Sequence, residues 1–106
     1  MRIKTAANRV VIDRDQIINN AVVERNLHGV VVSVFPLSVC CFEPASTAFY
    51  NGVITPEIER DAVEGDYLPD LVARPLECGY GGRLLLWQGL SVEEMVVEKR
   101  TVCTVL

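Results

Sequence analysis

Apolar residues along this chain fall in short runs separated by turn-forming residues, a pattern typical of β-strands. The clearest run is Val30–Phe35, which is uncharged and rich in β-branched side chains. Because it is apolar on both faces, we expect a central strand, with Pro36 breaking or edging the ladder before residues 38–42 resume it. Residues 84–88 and 95–106 predict two further strands.

Residues 14–27 support two interpretations. Asp13 and Gln16 have the spacing of a capping box, which predicts a helix over this range. Against a helix, Asn19 and Asn20 are poor helix-interior residues and good turn residues, so the same segment can form a hairpin whose turn lies at these two asparagines. We favour strands.

Residues 56–64 predict one short helix. Thr55 would be its N-cap and Pro56 would occupy the first helical position, while Glu57 and Glu59 suit the positive end of the helix dipole. Just upstream, Tyr50-Asn51-Gly52 has the composition of a turn.

Composition agrees with a sheet protein. The chain has 106 residues, half of them hydrophobic, and includes seventeen valines and six isoleucines, which favour extended backbone. The predicted fold is therefore mainly β, a small sandwich, roll or barrel with one short helix near 56–64, and the alternative is an α+β fold with a second helix near 14–27. This length fits a single domain spanning residues 1–106.

The apolar content exceeds what a domain of this size buries comfortably, since such a domain hides only about two-thirds of its unfolded surface. The proline-broken segment 66–82 carries many of these side chains, and it can either cover the chain's own core or order against a neighbouring subunit. We predict the latter. The apolar interface candidates are Tyr67, Leu68, Leu71, Val72 and Leu76. Trp87 is expected to anchor the core, or alternatively an interface.

Charge is unevenly distributed along the chain. The formal net charge of −4 argues against a nucleic-acid binder, which needs clustered basic residues. Arg2, Lys4 and Arg9 make residues 1–9 a predicted basic N-terminal arm, whereas residues 57–77 hold seven acids and two arginines. Contact between the arm of one copy and the acidic band of another would follow, although solvated charge explains the same pattern.

No secretion signal is recognisable near the N-terminus, so we expect intracellular synthesis, with incorporation into a virion as one destination. The longest uncharged stretch, residues 29–42, is too short to span a bilayer and contains Pro36. We therefore predict no membrane partner.

Four cysteines, Cys40, Cys41, Cys78 and Cys103, allow two pairings if the adjacent pair is not bonded: 40–78 with 41–103, or 40–103 with 41–78. Buried free thiols are the favoured alternative in a reducing cytosol. The spacing lacks the close pairs of a zinc site, so no metal is predicted.

Sequence motifs for catalysis are weak. The glycine-rich loop 79–82 is followed by an apparent strand instead of a helix, so a hairpin turn explains it better than a phosphate cradle. His28 is the single histidine and has no framing motif for a nucleophile–base pair. No catalytic residue and no cofactor is predicted.

The sequence therefore favours a structural or assembly protein, a subunit of a homo-oligomer or of a larger particle such as a viral capsid decoration or tail component. The alternative is an acidic inhibitor or immunity-type protein whose 57–77 band fills a basic groove on its partner. A small β-barrel enzyme or ligand carrier is the third hypothesis.

Overall fold

A computed structural model describes residues 2–39 and 47–106 and confirms a mainly β fold. Six strands form one mixed, open sheet in the order β3-β2-β1-β4-β5-β6. The strands are β1 (Ile3–Val11), β2 (Ile17–Arg25), β3 (Val31–Pro36), β4 (Thr47–Thr55), β5 (Leu85–Gln88) and β6 (Val102–Val105). Two short 3₁₀ turns, Leu37–Val39 and Leu68–Leu71, are the helical elements of the described residues.

β1 lies at the centre of the sheet. It pairs antiparallel with β2 and parallel with β4, where Lys4 is opposite Thr47. The remaining neighbours are antiparallel. Most of residues 1–9, predicted as a basic arm, is therefore strand backbone hydrogen-bonded on both sides, and Arg2 pairs with Glu24 at 3.0 Å.

Both faces of the sheet carry an apolar cluster, because alternate residues of each strand point to opposite sides. The first cluster, here called the inner cluster, contains Val10, Val23, Ile54, Leu76 and Leu86 among others. The second, the outer cluster, contains Val11, Val53, Leu68, Leu85 and Trp87 among others. Trp87 is thus a core residue, as predicted.

A bulge interrupts the pairing of β1 with β4. The register shifts between Ala7 and Arg9, and the side-chain oxygen of Asn8 accepts a hydrogen bond from the backbone N–H of Gly52 at 2.9 Å. A Cβ at Gly52 would lie 2.4 Å from the carbonyl oxygen of Trp87. The predicted turn at residues 50–52 is therefore wrong: these residues continue β4, and Gly52 is needed for close approach to β5.

The helix considered for residues 14–27 does not form, because Ile17–Arg25 is strand. The predicted hairpin turn at Asn19 and Asn20 is also wrong. Both lie inside β2, and the turn is formed by residues 12–16, where the backbone N–H of Ile12 donates to the carbonyl of Gln16. The Asp13 carboxylate accepts from the N–H of Asp15 at 2.8 Å, so the residue expected to cap a helix closes a hairpin.

The predicted helix over residues 56–64 is wrong as well. Thr55 ends β4, and its hydroxyl donates to the carbonyl of Pro56 instead of capping a helix. The segment runs beside residues 71–73, with the N–H of Glu59 donating to Leu71 and the N–H of Ala73 donating to Glu57. Nine residues are too few for a helix to outweigh such tertiary pairing.

β3 is an edge strand, so the prediction of a central strand over Val30–Phe35 is wrong in position. Its residues are mostly half-buried, and Pro36 fits an edge because it lacks an N–H donor. Of the expected continuation over 38–42, Ser38 and Val39 lie in a 3₁₀ turn, and residues 40–42 lie outside the described residues.

The sheet curls, bringing its two ends toward each other. The N–H of Val31 on β3 donates to the carbonyl of Tyr80, and the N–H of Gly79 donates back to Val31. Across the same seam, the Arg25 guanidinium donates to the carbonyl of Leu106 at 3.3 Å. None of the helical turns in the described part of the chain has the length and apolar character needed to cross a bilayer.

Candidate functional site: an open sheet edge

β6 is the most exposed strand of the sheet. All four of its residues are exposed, and the side chains of Val102 and Val105 retain 59% and 54% of their accessible surface. Within the described residues β6 pairs with β5 alone, so its other edge has no strand partner.

The register on β5 shows which backbone groups face the open edge. The N–H of Leu106 donates to the carbonyl of Leu84. In an antiparallel pair every second residue forms such bonds to its neighbour. Thr104 and Val102 therefore also turn their N–H and C=O groups toward β5. Cys103 and Val105 consequently turn theirs outward. This row of donors and acceptors is a template for another strand.

Nothing in the sequence of β6 protects this edge. Natural edge strands are commonly blocked by lysine, proline or a bulge, whereas residues 102–105 are valine, cysteine, threonine and valine in regular pairing. The Cys103 thiol is free. Partial burial raises its pKa, an effect that the nearby Arg83 guanidinium opposes.

A recess of about 340 Å³ adjoins the outer-cluster side of β6. Its apolar walls include Ile58, Leu85, Trp87 and Val105. Asp61 and Arg83 supply opposite charges at its rim. The exposed side chain of Val105 is thus continuous with a depression that reaches Trp87, the largest side chain of the core.

A second groove, of about 400 Å³, follows the opposite end of the sheet along β3; we call it the β3 groove. It is lined by Ile12, Gln16, Ile18, Val32, Ser33, Val34, Leu76, Glu77 and Cys78. Ile18 and Val34 are partly buried against the inner cluster. The chain therefore presents two apolar strand edges, one at each end of the same sheet.

The residues predicted to meet a partner through segment 67–76 are placed differently from one another. Leu68, Leu71 and Val72 pack in the outer cluster and Leu76 packs in the inner cluster, all with less than a tenth of their surface exposed. Only Tyr67, at 39%, is substantially exposed. The segment covers the chain's own core, the alternative that the sequence left open.

Three of the seven acids in the acidic band, Glu57, Glu59 and Asp66, form ion pairs among the described residues. Glu57 accepts from Arg74 at 3.1 Å and from Arg83 at 3.2 Å, and these hydrogen bonds, above all the one from Arg83, lower its pKa against partial desolvation. Asp66 accepts from Arg60 at 2.8 Å. Such pairing reduces the negative field that a basic partner groove would meet, which weighs against the inhibitor hypothesis.

The remaining chemical candidates occupy structural positions. In the glycine-rich loop, Tyr80 enters the inner cluster, and its hydroxyl donates to the carbonyl of Arg83 while accepting from the N–H of Glu57. His28 lies in an exposed turn stabilised by Asn26. Across residues 2–39 and 47–106, His, Cys, Asp and Glu side chains are nowhere grouped as a metal site requires.

Of the predicted disulfide residues, Cys78 and Cys103 are free and exposed. Cys40 and Cys41, their proposed partners, lie outside the described residues. Lys4 and Arg9 are half-buried along β1, and their role in an interface stays a prediction.

Sequence reasoning missed the open edge of β6. A signal was present in residues 101–106, an uncharged run that contains four β-branched side chains and lacks any residue that discourages pairing. No known protein family, curated protein or solved structure matches this chain.

Proposed function

We propose that this protein is a structural subunit that self-associates, forming a homo-oligomer or part of a larger particle such as a viral capsid decoration or tail component. The observation that carries the proposal is the open, uncharged edge of β6 with its two exposed valines. A second copy of the chain is the partner, because in the part of the chain that the structure describes it offers two apolar strand edges with no strand paired to them.

Strand addition at β6 would satisfy the outward backbone groups of Cys103 and Val105 and remove the two valines from water. Each square ångström of apolar surface buried contributes roughly 25 cal/mol. A four-residue strand is small compared with a stable interface, which buries about 1,200–2,000 Å². The recess beside Trp87 and the rim residues Asp61 and Arg83 would supply further contact area.

Sedimentation velocity on the full chain tests the proposal. We expect the wild-type protein to sediment as an oligomer at micromolar concentration, and the V102K/V105K variant as a monomer, because two lysines on an edge strand oppose pairing. The matched control is V63K: Val63 is 58% exposed, much like the two valines, but lies outside every strand.

V63K should therefore assemble like the wild type. Circular dichroism confirms that each variant is folded before it is compared. A wild-type chain that stays monomeric across this concentration range would overturn the proposal, as would a V102K/V105K variant that assembles unchanged.

A further inference from the structure

We infer that the assembly is head-to-tail, with β6 of one copy bound in the β3 groove of the next. This inference rests on the proposed self-association and specifies its geometry. The two ends of the sheet then join into one surface that continues from subunit to subunit.

The β3 groove offers backbone as well as apolar contacts. The N–H of Asn26, just after β2, donates to the carbonyl of Val30. Counting back by two residues, Glu24 also turns its backbone N–H and C=O toward β3, where its partner is Ser33. Val34, one residue further on, therefore turns its N–H and C=O groups away from β2. Among the described residues, Gly79 and Tyr80 form backbone hydrogen bonds to this edge at Val31, and none is formed to it at Val34.

The side chains of the groove fit an uncharged strand. Ile18 and Val34 pack against the inner cluster but are only partly buried. A strand bound beside them would bury their remaining exposed surface. β6 has three exposed β-branched residues, Val102, Thr104 and Val105, and no charge of its own. Successive side chains of a strand point to opposite faces, so β6 can direct one set into the groove and leave the other on the surface.

Charge complementarity determines the direction in which β6 of one copy runs along β3 of the next. β3 runs toward the β1–β2 turn, since it is antiparallel to β2 and its last residue, Pro36, is opposite Ala21 in the middle of β2. That turn carries Asp13 and Asp15, and the groove itself carries Glu77. Lys99 and Arg100 are separated from β6 only by Thr101, so an antiparallel arrangement brings these cations toward the acidic end of the groove.

Two-fold pairing of β6 with its own copy is the competing arrangement. It uses the same open edge of β6 but leaves the β3 groove uncovered. In that arrangement Glu77 has no cation from the second copy beside it. A head-to-tail contact joins two different surfaces, so it generates a closed ring or an open filament, whereas two-fold pairing stops at a dimer.

Charge-reversed variants distinguish the two arrangements. E77K and K99E should each weaken self-association by about fivefold, because a favourable surface pair becomes a repulsive one. The double variant E77K/K99E should recover wild-type association, since the two reversed charges again attract across the interface. Both substitutions are at exposed positions, so folding is preserved.

A mixing experiment with native mass spectrometry supplies a second readout. V102K/V105K retains an intact β3 groove and E77K retains an intact β6, so the mixture should contain mixed oligomers that include V102K/V105K, which does not assemble alone. Formation of those mixed oligomers supports the head-to-tail geometry.

The outcomes separate the geometry from the proposed function. A wild-type oligomer that V102K/V105K disrupts and E77K leaves unchanged would overturn the head-to-tail inference in favour of two-fold pairing, with the assembly role standing. Failure of the double variant to recover association would also overturn the inference. A monomeric wild type would remove the proposed function itself.

Discussion

Trp87 donates its indole N–H to the hydroxyl of Thr55 at 2.9 Å, and both side chains are buried in the protein. Thr55 in turn donates to the carbonyl of Pro56 at 3.0 Å. The two residues lie on adjacent strands, where Thr55 pairs with Leu85 and Val53 with Trp87. This polar link inside an apolar environment fixes how β5 lies against β4, and with it the position of β6.

Thr55→Val should destabilise the protein by about 1–3 kcal/mol, because it leaves the buried indole N–H without an acceptor while preserving the shape of the side chain. Urea unfolding monitored by far-UV circular dichroism, which can be followed with or without the single tryptophan, measures the change. In a Trp87→Phe background the same substitution should cost clearly less, since no indole donor remains. Equal costs in the two backgrounds would show that the bond has no energetic role.

Gly52→Ala should destabilise the fold by about 2 kcal/mol or more, since the new methyl group meets the Trp87 carbonyl at 2.4 Å and that backbone belongs to a paired strand. The matched control is Gly81→Ala, where the nearest atom, Cγ2 of Val30, is 3.8 Å away in ordinary contact. Thermal unfolding should show Gly81→Ala within a few degrees of the wild type. A Gly52→Ala variant as stable as the control would contradict the close approach of β4 and β5.

Tyr80→Phe should destabilise the protein by about 1–2 kcal/mol, because the hydroxyl bridges the Glu57 N–H and the Arg83 carbonyl at 2.7 and 2.6 Å. Hydrogen exchange gives a local readout: the Glu57 amide should exchange faster in the variant. Tyr67→Phe serves as the control, since Tyr67 is exposed and its hydroxyl makes no side-chain hydrogen bond in the described structure. Unchanged exchange at Glu57 would count against the bridge.

Asp66 should make stability depend on pH. Hydrogen bonds from Arg60 and from the Val63 N–H lower the pKa of its carboxyl to about 2, below the value of about 3.9 expected in the unfolded chain. Because the folded-state pKa is the lower one, the contribution is complete above about pH 4 and is lost as pH falls toward about 2. Asp66→Asn should thus be less stable than the wild type near pH 6, with the gap closing in acid.

Thermal unfolding from about pH 6 to about pH 2 measures the difference in stability between Asp66→Asn and the wild type. Asp61→Asn is the control for removing a carboxylate from the same segment, since the carboxylate of Asp61 accepts no hydrogen bond among the described residues. A constant difference between Asp66→Asn and wild type across the acid range would refute the linkage.

Local patterns predicted the sheet but not its arrangement. The valine-rich runs correctly indicated strands at β3 and β5, since β-branched side chains favour extended backbone wherever the strand lies. Position within the sheet depends on pairing between distant residues, so β3 was expected at the centre and is at the edge. The apparent caps at Asp13 and Thr55 failed for a related reason: the same side chains that cap helices also close hairpins and donate to neighbouring carbonyls.

The candidate site was harder still to predict from sequence. The apolar side chains of segment 67–76 pack against the outer and inner clusters, a contact that depends on how the sheet folds over in three dimensions. The open edge of β6 is defined by the lack of a second neighbouring strand among residues 2–39 and 47–106, which only the strand order of the sheet reveals.

The parallel pairing of β1 with β4 has a consequence for how the chain is made. β1, β2 and β3 are synthesised before β4. Until Thr47–Thr55 has been synthesised, β1 pairs with β2 alone and is an edge strand of the sheet. β1, the central strand of the folded sheet, is therefore an edge strand at first. It becomes central only when contacts between residues more than forty positions apart, such as Lys4 and Thr47, have formed. Such long-range closure is slow, so we expect docking of β4 onto β1 to limit the folding rate.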